Sequence, residues 1–460
     1  MTRASALVLA LALAGCAVGP VYQRPDVDTP VAFKEGRGEW VKAAPADLLE
    51  RGPWWQLFND PVLDGLASRV EVSNQNVAAA VAAYRQARAL VAVQRASLFP
   101  TVSLNAGASR SGGRGDTPER NSYQIGIGGA WEPDVWGRLA SGVDSARAGE
   151  QASLADLQAA KLSAQGELVI SYFNLRQLDS QQALLATTIE GYERSLKIAQ
   201  NRYNAGIVAR TDLLQAQTQL ANAQADRLGL ERQRANLEHA IAVLVGQTPA
   251  NFTLSARPVW AGVVPDVPVD IPSTLLQRRP DIAAAERRAA QANEQVGVAQ
   301  AALYPSLRLS ANAGSAAARI GDLFSASALV WSLGASLAQT LFDAGANQAR
   351  VEGARASLEQ AAARYRQTVL SAFQDVEDQL VAARILQQQL ALRQQAAQAA
   401  NLVEQQVLNR YQAGQVSYTE VVTAQATAQN ARRAVVQAQS DRQVAAVALI
   451  QALGGGWTGL

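Results

Sequence analysis

The sequence predicts a mainly α-helical subunit that carries part of a membrane β-barrel, with one structural unit written twice along the chain. Three observations predict it: long proline-free spans, an internal repeat at a nearly constant offset, and short segments of alternating polarity between the helical spans. The 460 residues allow more than one domain. Charged residues make up 17% and the formal balance is +2, so no global field directs the chain to nucleic acid. Cysteine occurs once, at Cys16, which excludes an intrachain disulfide and a cysteine metal cluster. Histidine also occurs once, at His239, inside a helical run where it reads as a surface or packed side chain.

The N-terminus reads as a processing signal over residues 1–15. Arg3 precedes the apolar run Ala6 to Ala14, which is shorter than the roughly 20 apolar residues needed to span a bilayer. The run closes on Leu13-Ala14-Gly15-Cys16, which resembles a bacterial lipobox, so Cys16 is the expected lipid anchor. The alternative is an ordinary signal peptide with an incidental cysteine. Ala17 after the cysteine suggests sorting to the outer membrane.

The repeat sets the organisation. Ser97-Leu98-Phe99-Pro100-Thr101-Val102-Ser103-Leu104 returns as Ala302-Leu303-Tyr304-Pro305-Ser306-Leu307-Arg308-Leu309, and Arg202-Tyr203-Asn204-Ala205-Gly206 returns as Arg410-Tyr411-Gln412-Ala413-Gly414. Thr211-Asp212 aligns with Thr419-Glu420. The first repeat is expected over 61–248 and the second over 280–460, with an extended strap at 16–60 and a linker at 249–279. Prolines are absent between Pro133 and Pro249 and after Pro305. Proline costs about 3 kcal/mol inside a helix, so long helices belong in those spans. Residues 138–204 and 344–412 would each form a helix roughly 100 Å long. Each ends at a glycine, Gly206 or Gly414, suited to a left-handed cap. Return helices follow at about 211–245 and 418–453, the second opened by a Ser417/Glu420 capping box. Ala209 replaces that serine in the first copy, so Thr211 or Asp212 is expected to cap there. Shorter helices fall at about 62–97 and 280–303.

Between the helices lie two hairpins, 100–132 and 305–339. Val102, Leu104, Ala106 and Ala108 alternate with Thr101, Ser103, Asn105 and Ser109. Tyr123, Ile125, Ile127 and Trp131 alternate with Gln124, Gly126 and Gly128. The second copy sets Leu307, Leu309 and Ala311 against Ser306, Arg308, Ser310 and Asn312. Its last strand sets Leu329, Trp331, Leu333 and Leu337 against Ser332, Gly334 and Ser336. Period-two patterning of this length is the signature of a transmembrane barrel strand, although soluble sheets alternate too. The lipid signal and the long polar loops 110–120 and 316–327 favour the membrane. Four strands cannot close a barrel, which needs about eight or more. Open edges are not tolerated in lipid, so copies must combine, a dimer giving eight strands and a trimer twelve.

Six segments then resemble one family in order: CAVGPVYQRP at Cys16 to Pro25, GPWWQLFNDPVL at Gly52 to Leu63, WEPDVWGRL at Trp131 to Leu139, RRPDIAAAER at Arg278 to Arg287, the two Arg-Tyr-x-Ala-Gly tips, and LGGGW at Leu453 to Trp457. Through them the chain resembles the TolC family, specifically the NodT-type outer-membrane lipoproteins of resistance–nodulation–division (RND) efflux pumps. The resemblance implies a homotrimer in which four strands per chain make a twelve-stranded β-barrel continuous with a trimeric α-barrel. The linker and the C-terminal region would form an equatorial belt. It implies a periplasmic adaptor (membrane fusion) protein and an inner-membrane RND transporter as partners, contact with outer-membrane lipid, and passive exit of drugs or other small toxic compounds. Ala344 and Ala346 depart from the Gly and Arg common in the family, which reads as a tolerated change at a strand-to-helix corner.

The resemblance also assigns sites. Ala205, Gly206, Ile207, Val208, Ala413, Gly414, Gln415 and Val416 would form the tips that meet the adaptor. Thr211 and Asp212 match a family pair tied to Tyr and Arg on the second long helix. Arg393 takes the arginine position and Gln388 the tyrosine position, so an Asp212–Arg393 periplasmic gate is expected. The family's acidic ring falls on Ala397 and Ala400, with Glu404 the nearest substitute. No catalytic residue, metal site or cofactor is expected: no phosphate-cradling loop, no HExxH and no cysteine nucleophile stands in the sequence, and the carboxylates are expected on helix surfaces. A type I secretion conduit and a periplasmic coiled-coil scaffold are the competing functions. The scaffold leaves the alternating strands unexplained.

Overall fold

The computed structural model describes residues 18–27, 33–35, 53–112, 119–260, 262–265 and 279–455. The signal segment, Cys16, parts of the strap and linker, and Trp457 lie outside the described residues. The helices are α1 (Pro61–Ser73), α2 (Gln75–Ala96), α3 (Arg138–Asn204), α4 (Arg210–Leu244), α5 (Pro280–Ala301), α6 (Ala346–Gln412) and α7 (Tyr418–Ala452). The strands are β1 (Thr101–Ser111), β2 (Arg120–Trp131), β3 (Ser306–Ala317) and β4 (Leu329–Ala338). No described helix is long and apolar enough to cross a membrane.

Two expectations about helix ends are corrected. The helix expected over 62–97 is two helices broken at Asn74, whose ψ of 125° is extended. Asn74 is buried; its Oδ1 accepts from the N–H groups of Asn76 and Val77 at 2.9 and 3.1 Å, and its Nδ2 donates to the carbonyl of Leu244 at 2.9 Å. One side chain therefore starts α2 and ties α1 to the end of α4, which local propensity does not foretell. At α4 the N-cap is Ala209, which offers no side-chain bond, and Thr211 and Asp212 lie inside the helix. In α7 the expected box is present, with the Ser417 N–H donating to Glu420 Oε1 at 3.4 Å.

The chain forms two compact units, each drawn from both halves of the sequence. The first comprises Met1–Val27, Ala82–Ala155 and Ala284–Thr368; the second comprises Asp28–Val81, Asp156–Ala283 and Val369–Leu460. The first unit holds the sheet, in which β1, β2, β3 and β4 lie side by side in that order, all antiparallel. Its register keeps parity across every pairing. Leu104, Ile127, Ala313 and Trp331 form one row across all four strands, and Ser103, Gly128, Asn312 and Ser332 form the adjacent row. Side chains alternate along a strand, so the sheet has one continuous apolar face and one small, polar face. The apolar face is uncovered: Leu104 is 70% exposed, Trp331 73% and Leu333 76%. Trp136 stacks on Tyr304 at 4.9 Å and donates to the carbonyl of Pro305 at 2.7 Å, which fixes the corner between β2 and α3. At the matching corner before α6, Ala344 takes φ +53°. That conformation costs an alanine about 1 kcal/mol, and Asp343 offsets it by accepting from the N–H groups of Gly345 and Asn347 at 3.0 and 2.8 Å.

The second unit is helical. Trp54 and Trp55 are buried; Phe58 meets Phe173 edge to face at 4.9 Å, and Trp260 lies tilted against Phe173 at 5.4 Å. Leu178, Leu185, Ile189 and Tyr192 of α3 pack on Ala223 and Leu230 of α4, holding the first hairpin shut by burial of apolar surface.

The β2–β3 pairing joins the two copies of the repeat into one sheet, and it needs Gly126 opposite Gly314. A Cβ at Gly314 would stand 2.4 Å from the Ile125 carbonyl oxygen and 2.6 Å from Gly126 Cα. Gly314→Val is expected to abolish the folded, protease-resistant protein in outer-membrane fractions. Gly321→Val, where a side chain meets open space, is expected to leave it unchanged.

Candidate functional site

The two hairpin tips are brought together in the helical unit. Gly206 and Gly414 take φ +70° and +76°, as glycine permits. Ile207 N–H donates to the carbonyl of Arg202 and Gln415 N–H to that of Arg410, both at 2.9 Å, the long bond of a Schellman turn. Ala205, Gly206, Ile207, Ala413, Gly414 and Gln415 are exposed, while Val208 and Val416 are half-buried. Behind the turns, Ala199 and Ala216 of the first hairpin pack with Tyr411, Tyr418 and Val421 of the second.

Three residues outside the expected site hold this contact: Arg202 and Tyr411 of the repeated motif, and Tyr418. The Arg202 guanidinium donates to the carbonyl of Tyr411 and lies 4.8 Å over its ring. Tyr411 and Tyr418 meet edge to face at 5.3 Å. Burial pushes both phenols up, and the nearby Asp212 carboxylate adds to the shift. The repeated Arg-Tyr motif signalled both positions but not their division of labour: Arg202 acts in one copy and Tyr411 in the other, while Tyr203 and Arg410 face out.

The expected gate residues are not brought together among the described residues. Thr211 and Arg393 are exposed, Asp212 is half-buried beside the tyrosines, and no ion pair joins Asp212 to Arg393 within the chain. Gln388 is exposed, Ala397 buried and Ala400 half-buried. Glu404 is paired with Arg432 of α7, so within the chain it faces a cation.

The expectation that carboxylates fall on helix surfaces is wrong for a connected set in the helical unit. Asp179 has no exposed side chain; it accepts from Arg176 at 2.6 Å, from Arg234 at 2.7 Å and from the Arg257 N–H at 3.0 Å. Arg234 also pairs with Glu238 at 2.5 Å and donates to the carbonyl of Leu254 at 2.6 Å, and the Leu254 N–H returns to Glu238 at 2.8 Å. Burial alone would lower the Arg234 pKa, but the bond to Asp179 and the two carboxylate charges raise it instead. The set continues through Arg257 to Asp60 at 3.1 Å, and Tyr172 donates to Asp60 at 2.6 Å. Burial, then the bond to Asp60, pushes the Tyr172 phenol up to about 12. Asp60 in turn accepts the Val62 N–H at 2.9 Å and caps α1. The network staples residues 254–257 of the linker to both helices of the first hairpin and to the entry of α1. Among the described residues no group of three or more His, Cys, Asp or Glu side chains is placed to hold a metal.

Comparison with known proteins agrees with this architecture. The chain matches the outer membrane efflux protein family over residues 66–247 and 271–455. It is 31% identical over 468 residues to the pyoverdine export outer membrane protein OpmQ of Pseudomonas aeruginosa, covering 99% of this chain and 97% of that one. It is 28% identical to the cation efflux system protein CusC of Escherichia coli over 98% of this chain and 97% of the relative. Among solved structures, the outer-membrane channel OprN superposes with a TM-score of 0.87 at 31% identity, over 96% of this chain and 100% of that one. The open-state MtrE outer membrane channel of Neisseria gonorrhoeae superposes with a TM-score of 0.82 at 28% identity, over 96% and 98%.

Removing the central charge of the buried network leaves Arg176 and Arg234 facing each other without their shared partner. Asp179→Asn is expected to destabilise the helical unit by about 3–5 kcal/mol, the usual cost of breaking a buried ion pair from one side. The check is the denaturant midpoint of purified protein followed by far-UV circular dichroism.

Proposed function

The chain belongs to the outer membrane efflux protein family and is the outer-membrane channel of an efflux pump; from that premise we propose that three copies close one conduit. Each would add four strands to a twelve-stranded barrel and two helical hairpins to a helical tube. The observation that carries this reading is the sheet register. It builds one apolar face for lipid and one small, polar face for a water-filled lumen, and it leaves β1 and β4 each with one unpaired edge. Cys16 is the proposed lipid anchor. The proposed partners are a periplasmic adaptor at the tips Ala205–Val208 and Ala413–Val416 and an inner-membrane RND transporter. The cargo would be drugs or other small toxic compounds that pass without chemistry, so the chain is not an enzyme.

Asp212 and Arg393 do not pair within one chain, which makes the proposed gate a contact between neighbouring copies. An exposed ion pair contributes only about 0–1 kcal/mol, weak enough for adaptor binding to open it.

Purified full-length protein is expected to run as a trimer on an unheated gel and to conduct in a planar bilayer. A monomer that never conducts sinks the channel. Combining Asp212→Ala with Arg393→Ala is expected to raise open probability about two- to fivefold, and unchanged gating would remove the latch.

A further inference from the structure

The helical unit holds a cavity of about 150 Å³ where the linker crosses α3, α6 and α7. Neither the tips nor the buried ion network uses it. The linker is fastened just upstream, by the Arg257 N–H on Asp179 and by Trp260 against Phe173. Beyond Trp260, Gly262 and Val264 complete the wall on the linker side. A Cβ at Gly262 would overlap the Gln443 amide and the Trp260 ring, so glycine is what lets the linker backbone come this close to α7.

Two buried side chains of α7 line this cavity with a polar atom unused. Ser440 is 2% exposed and Gln443 1%, yet the Ser440 hydroxyl and Gln443 Oε1 have no hydrogen-bond partner among the described residues. Three residues apart, they share one face of the helix. Folded proteins leave few buried polar atoms unsatisfied, and each asks for an explanation. Here the two stand together at one space, which makes a ligand the economical one.

Size and lining select its chemistry. A cavity of this volume takes about one six-membered ring. An apolar ring would leave Ser440 and Gln443 unsatisfied. A cation would find no aspartate or glutamate in the lining and would meet the half-buried Arg442. A neutral ring carrying hydroxyls meets every demand, because a hydroxyl both donates and accepts. One hydroxyl can donate to Gln443 and another can bond Ser440, while the ring carbons lie against Trp260, Leu390 and Val436. We propose that this cavity binds one neutral sugar ring, clamped between the linker and the amide-rich seam of α3 and α7. The site lies within one chain and does not depend on three copies closing a conduit.

The test is equilibrium dialysis of radiolabelled glucose against purified full-length protein, in a detergent without a sugar headgroup. The native protein is expected to retain glucose saturably, one molecule per chain. Labelled glucosamine, dialysed below its amine pKa, is expected to bind about tenfold more weakly or less. Ser440→Ala removes one partner and Val436→Phe fills the space; each is expected to weaken glucose binding about tenfold or more. Far-UV circular dichroism checks that both variants fold, and Ser440→Ala, the loss of a single oxygen, keeps the test open should Val436→Phe unfold. No saturable retention by the native protein means that water alone fills the cavity, and the proposal falls. Undiminished retention in either folded variant overturns it as well, as does a preference for glucosamine. None of these results touches the channel reading, which is measured by current.

Discussion

Two strand edges, β1 and β4, each present a row of unpaired N–H and C=O groups, and hydrocarbon offers nothing to satisfy them. In the proposed conduit another copy would take up those edges. In water the uncovered apolar face would invite aggregation, because Leu104, Ile127, Trp331, Leu333 and Leu337 stand together on it. In lipid the same face is stabilised, and only the edges remain costly. The polar face answers a different demand. Its glycines, serines and asparagines are small, and Gly126 against Gly314 lets the two copies of the repeat pair closely at the middle of the sheet. In the proposed conduit, oligomerisation, lipid exposure and a hydrated interior would all follow from this one register.

Duplication supplied the parts, and divergence gave them separate tasks. The tips show this most clearly. Both copies retain Arg-Tyr ahead of Ala-Gly, yet the working arginine is Arg202 and the working tyrosine is Tyr411, stacked together across the pair of hairpins. The return helices differ too: α7 begins with a side-chain cap and α4 begins with Ala209, which has none. The buried ion network joins the first copy to Asp60 and to the linker that follows α4, while beside the second copy Arg279, 11% exposed, pairs with Asp281 and Asp375. Asp179 is where that linker's backbone, through Arg257, meets the hairpin.

Much of this was legible in the sequence because the signals are local. Strand parity fixes faces without knowledge of partners, and the absence of proline with a terminal glycine fixes long helices and their ends. The Asn74 break was not read from the sequence: its side chain caps α2 locally, and its second bond, to the carbonyl of Leu244, comes from far along the chain. Nor was the buried network. Arg176 and Asp179 are three residues apart and Arg234 and Glu238 four apart, spacings that on an isolated helix mark a solvated face. Only the linker, laid over them in three dimensions, removes their water. The tip residues were found by their motif, but the pairing of Arg202 with Tyr411 depends on how the hairpins meet.

The contrast between two interfaces of α3 bears on how such a wall opens. Toward α4 it presents leucine, isoleucine and tyrosine, and separating those surfaces costs roughly 25 cal/mol for each Å² exposed. Toward α7 it presents amides and hydroxyls along its middle, whereas near the tips Ala199 packs with Tyr418 and Val421 of α7. Gln177 pairs with Gln437, Thr188 donates to Gln429 at 2.6 Å, and Gln425 donates to Ser195 at 3.2 Å. Each such bond is worth about 1 kcal/mol net, because water replaces the lost partner. A displacement within the helical unit therefore costs least along the α3–α7 seam, where polar groups can exchange partners one at a time. The polar seam is thus better understood as a surface that tolerates sliding than as a defect in the core.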